Sequence, residues 1–229
     1  MASESKSFPG ILPYSESVNA QGSSVWSLCV QIVLIYGLIV FDSWTPEGRL
    51  KAALMMSTAG LVLLLAVAGR YSGKEMGLGI PPLRGSLIII GLGLLIAIGL
   101  PGVASLAGLR YPPVRIVPWR GAWQYAVWSL MQQFALQSFF YLRLESLFGS
   151  RRAVYIAAVL FASVHLPSPV LTVATLLGGF FFCEMFRRYR TILPLGVVHA
   201  ILGLAIAASF SDRLLHHMRV GIGYLAFRS

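Results

Sequence analysis

The stretch LMQQFALQSFFYLRLE, Leu130 to Glu145, places three glutamines, Gln132, Gln133 and Gln137, within two turns of an otherwise apolar segment. Whether that segment lies in water or in lipid decides how the chain is read. The 229 residues are 57% hydrophobic and 11% charged, whereas soluble domains carry about 25% charged residues. The sequence is therefore that of an integral membrane protein. A spanning helix takes about 20 mainly apolar residues. Cutting the chain at that length gives seven candidates, 25–42, 52–69, 86–108, 121–148, 153–167, 169–186 and 191–210. The expected fold is all-α, a polytopic membrane bundle of about seven spanning or partly spanning helices. The fifth is short and is closed by the Pro-rich HLPSP. The expected organisation is a polar N-terminal tail over 1–24, transmembrane helices and linkers over 25–118, a transmembrane core over 119–209 and a basic amphipathic tail over 210–229.

The formal charge of +10 could in principle serve nucleic acid. Here the Lys and Arg residues fall between apolar runs, where they act as topology signals and contacts for anionic lipid. The expected partner is the bilayer, not nucleic acid. The short basic loops Gly149–Arg152 and Arg187–Arg190 are expected in the cytoplasm, because the connection between the fifth and sixth segments has no Lys or Arg. Counting back through seven spans puts the N-terminus in the cytoplasm too, with a bacterial inner membrane as the expected location. Cys29 and Cys183 lie inside apolar segments and read as packing residues.

Polar groups inside a membrane cost energy unless partnered, so they are the informative residues. Gln133 and Gln137 are four apart and share a helix face. His165 closes the fifth segment, in FASVH, and His199 lies inside the seventh, in VVHAILG. Glutamines also hydrogen-bond across ordinary helix bundles, and a buried imidazole is commonly a satisfied donor. Helix glue and a converging site are both open on this ground. Glu184 is expected to pair with Arg187 or Arg188, three and four residues on. His216 and His217 fall in an interfacial segment past the last span. A catalytic zinc site generally needs three protein ligands, and only two histidines are available, so no metal and no cofactor is expected.

The order of these clusters resembles the CPBP family, which contains the type II CAAX prenyl endopeptidases and bacteriocin-processing and immunity proteins. Its motifs E-E-x-x-x-R, F-x-x-x-H and H-x-x-x-N correspond to QQFALQ (Gln132 to Gln137), FASVH (Phe161 to His165) and HAILG (His199 to Gly203). The resemblance covers roughly Trp119 to Ser209. It implies an intramembrane endopeptidase acting on prenylated or other membrane-associated peptides. His165 and His199 would be the catalytic residues, and Gln132, Gln133, Gln137 and Phe161 would contact substrate.

The departures matter as much. Gln132 and Gln133 stand for both glutamates, Gln137 for the arginine and Gly203 for the asparagine. A carboxamide has no basicity with which to activate water. The exchange is coordinated, leaving no unpaired buried charge, so the site looks rebuilt and not decayed. Three readings stay open: a divergent hydrolase with a histidine base, a pseudoprotease that binds a lipidated or transmembrane peptide without turnover, and a membrane enzyme of other lipid or isoprenoid chemistry.

Overall fold

The computed structural model describes residues 24–69, 71–109 and 118–226. The N-terminal tail thus lies outside the described residues, apart from Ser24. Each of the seven expected segments forms helix. They are α1 Val25–Ser43, α2 Arg49–Ala68, α3 Leu83–Leu106, a rod made of α4 Trp119–Gln133, a π-helical stretch Phe134–Tyr141 and α5 Leu142–Phe148, then α6 Ser150–Ser163, α7 Pro169–Tyr189 and α8 Leu193–Ser209. No strand is present among the described residues. Four of the helices, α1, α2, α3 and α7, are long and apolar enough to cross a membrane. The chain is an all-helical membrane bundle.

Local chemistry sets the helix ends. Ser24 caps α1, its side chain accepting from the Ser27 amide at 3.1 Å. Ser168 and Pro169 open α7, where a missing N–H costs nothing. Gly149, at φ +80°, reverses the chain between α5 and α6 in a conformation that a side chain would strain.

The rod sits at the centre. From Leu136 to Leu144 every residue is buried, whereas only 11% to 17% of the apolar windows of α1, α2 and α3 is buried. Those three helices present apolar side chains to lipid. Against the rod pack α6, α7 and α8, and glycines let the helices close in, as is common within membranes. A Cβ at Gly196 would stand 2.7 Å from Leu130, and one at Gly179 3.0 Å from the Ala158 backbone.

Contacts between helix ends fix the up-and-down order. The loop before α3 docks on the rod and on α8: the Ser138 hydroxyl donates to the Met76 carbonyl at 2.8 Å, and the Ile192 amide donates to the Gly77 carbonyl at 3.1 Å. Arg190, at the end of α7, binds both carboxylate oxygens of Glu145 on α5 at 2.6 and 2.7 Å. The two basic loops therefore lie at one end of the bundle. Glu184 binds both Arg187 and Arg188, at 2.7 and 2.6 Å. At the other end the chain past α8 turns back as α9 Asp212–Leu215, a 3-10 turn His216–Met218 and α10 Ile222–Leu225. There the Gly221 amide donates to the Leu166 carbonyl at 2.8 Å.

Candidate functional site

Four polar residues spaced four apart, Tyr125, Ser129, Gln133 and Gln137, run along the rod, and that spacing keeps them on one face. The face meets α8, which offers Gly196, His199 and Gly203. Ser129, Gln133 and Gln137 are fully buried and His199 is 7% exposed. The Gln137 amide donates to Gln133 Oε1 at 3.2 Å, and Gln133 Nε2 lies 3.2 Å from His199 Nδ1. Gln137 Nε2 also reaches Cys183 Sγ on α7 at 3.7 Å. Two buried polar atoms of the stripe, Ser129 Oγ and Gln137 Oε1, have no hydrogen-bond partner among the described residues. The π-helical stretch begins at the residue after Gln133, and such irregularities are frequent at functional sites.

Phe161 of α6 joins the two imidazoles. Its ring centroid stands 5.0 Å from that of His165 and 5.8 Å from that of His199, edge to face in both cases. Phe182 of α7 covers His199 at 5.2 Å. The helices carrying the three expected motifs thus converge, with α7 as a fourth wall. Gln132 is the exception: it is half-buried and its side chain makes no hydrogen bond among the described residues. His165 lies in the turn after α6, beyond the helix end at Ser163.

The hydrogen bonds assign different roles to the two histidines. With Gln133 Oε1 accepting from Gln137, the Gln133 amide nitrogen is the atom that faces His199; in that orientation it donates to Nδ1, and the neutral ring carries its proton on Nε2. A carboxylate at position 133 could only accept, which would hold the proton on Nδ1 and free Nε2 as a base. Glutamine therefore turns His199 into a donor. His165 is set the other way. Its Nδ1 lies 2.7 Å from the Phe161 carbonyl, which only accepts, so Nδ1 carries the proton and Nε2 keeps the lone pair.

Two residues of the site and its surroundings were not anticipated from the sequence. A Cβ at Gly203 would overlap the Tyr125 hydroxyl and stand 2.6 Å from its ring carbon Cζ. The phenol thus fills the space where the CPBP motif has asparagine. The i, i+4 spacing of Tyr125, Ser129 and Gln133 was the available signal. The second is Arg143, fully buried and without an acidic partner among the described residues. Its Nε donates to Gln31 Oε1 at 2.9 Å and its Nη2 to the Leu65 carbonyl at 2.8 Å, and it stacks 3.9 Å over the Phe139 ring. Leu65 lies in the last turn of α2, where carbonyls lack intrahelical partners, so Arg143 caps α2 from the rod. Nearby Tyr71, 3.3 Å from Ser146, has its phenol pushed above the usual range by burial.

The cluster can donate to and accept from a polar group. Among the described residues no group of three or more His, Cys, Asp or Glu side chains is placed to hold a metal ion.

The protein is thus a helical membrane bundle built around a buried cluster of glutamine and histidine. A family model described as Type II CAAX prenyl endopeptidase Rce1-like matches residues 116–205, the segment that runs through the rod, α6, α7 and most of α8. The resemblance to the CPBP family rests on that segment. No curated protein and no solved structure matches the chain.

Proposed function

We propose that this protein is a CAAX-protease-like membrane protein that takes a carbonyl of a prenylated or other membrane-associated peptide into the cluster, and does so without glutamate-activated hydrolysis. The observation that carries this reading is the Gln133 to His199 contact of 3.2 Å. It presents His199 Nε2–H as a donor, and no carboxylate bonds to any member of the cluster among the described residues. A donor held in a water-poor site stabilises a carbonyl oxygen far more than it would in water. Gln137 Oε1 is left free to accept a peptide N–H. The protein then acts as a pseudoprotease, holding a lipidated or transmembrane partner in an inner cell membrane, with the basic loops and the N-terminus in the cytoplasm.

A second reading is favoured by one observation, the Nδ1 contact of His165 to the Phe161 carbonyl. It leaves Nε2 as the base of a histidine-driven hydrolysis. Photocross-linking of a diazirine-bearing farnesyl peptide in reconstituted membranes tests the first reading. Capture of the intact peptide is expected, with loss of capture in His199→Ala. Equal capture by His199→Ala rejects the pocket, and release of a shortened peptide by the parent chain favours the second reading.

A further inference from the structure

One cavity lies away from the glutamine cluster. It is a groove of about 610 Å³ between α6 and α7 at the basic end, lined by Val154, Tyr155, Phe180, Phe181, Met185 and the charged residues Arg151, Glu184 and Arg187. Its walls are apolar: Tyr155 and Phe180 pack edge to face at 5.5 Å, and Tyr155 is 62% exposed.

The charges at its mouth are unequal in their commitments. Glu184 is taken up by Arg187 and Arg188. Arg151 is exposed and has no acidic partner among the described residues. It stands in the first turn of α6, where the unpaired backbone N–H groups add positive potential. An apolar cleft topped by an uncommitted cation and a tyrosine is complementary to a molecule with an acyl chain and an anionic head at the membrane surface.

We propose that this groove is a binding site for an anionic glycerophospholipid, with its phosphate on Arg151 and its acyl chain along Tyr155, Phe180 and Phe181. The site is independent of the glutamine cluster and of any peptide bound there. It would hold α6 against α7 at the end where the Glu145 to Arg190 pair already ties α7 to the rod.

Native mass spectrometry of the full chain, released from mixed phosphatidylglycerol and phosphatidylcholine membranes, tests this. The expected result is one retained phosphatidylglycerol per chain in preference to phosphatidylcholine. Retention should be about fivefold weaker in Arg151→Gln and weakened also in Phe181→Ser. It should be unchanged in Arg49→Gln, an exposed cation at the opposite end, and unaffected by inorganic phosphate. Equal retention of the two lipids, or equal loss in Arg151→Gln and Arg49→Gln, overturns the proposal. So does competition by inorganic phosphate, or displacement of the lipid by a prenylated peptide, which would make the groove a substrate site.

Discussion

The Tyr125 phenol occupies the space that any side chain at Gly203 would need. Rod and α8 are therefore matched at this point, a large residue on one against none on the other. Introducing asparagine at 203 alone should overpack the interface by about 1–3 kcal/mol. In Tyr125→Ala with Gly203→Asn, the total destabilisation should be smaller than the sum of the two single changes. Unfolding of the four proteins in mixed micelles measures the coupling, and strict additivity would mean that the two residues do not share one space.

Replacing Gln133 by glutamate should invert His199. Once ionised, at the alkaline end of a pH series because burial disfavours the charged form, the new carboxylate can only accept, so the ring proton moves from Nε2 to Nδ1. Nitrogen-15 spectra of histidine-labelled protein distinguish the two tautomers. His165, held by the Phe161 carbonyl, should keep its pattern in both proteins. An unchanged His199 spectrum in the variant would contradict the assigned network.

Arg143→Lys should loosen α1 and α2 without disturbing the glutamine cluster. A single ammonium cannot match the guanidinium fork that reaches Gln31, Phe139 and Leu65 together. An orphaned buried acceptor costs about 1–3 kcal/mol. Hydrogen exchange should accelerate over Val25–Ser43 and Arg49–Ala68, and not over α8. Uniform acceleration would mean that Arg143 supports the whole bundle.

Single cysteines at Arg152 and Arg188, in a background with Cys29 and Cys183 replaced, should react with an impermeant maleimide from one side of the membrane. A cysteine at Arg213 should react from the other. Labelling of positions 152 and 188 from opposite sides would break the helix order described above.

Helix positions were legible because each needs only length and apolarity, and α1 to α8 follow the segments that hydropathy marks. Glu184 was legible because its partners lie one turn away. The cluster was half legible: Gln133, Gln137, Phe161, His165 and His199 could be named from composition and motif order, but the link from Gln133 to His199 spans 66 positions. The π-helical stretch left no trace, since FALQSFFY reads as ordinary apolar helix. Arg143 was passed over inside the very stretch that opened the reading, because its partners come from α1 and α2, distant in sequence. Tyr125 was missed because an aromatic residue in a membrane helix suggests lipid contact, and only the glycine facing it shows otherwise.

In the proposed function His199 donates a hydrogen bond to a peptide carbonyl that is held and not cleaved. Isotope-edited infrared spectroscopy of a prenylated peptide carrying one carbon-13 carbonyl reads both halves at once. The labelled amide band is expected to shift to lower frequency on binding and to return to its free position in His199→Ala. A labelled carboxylate band growing with time, or a bound amide band unmoved by His199→Ala, would contradict it.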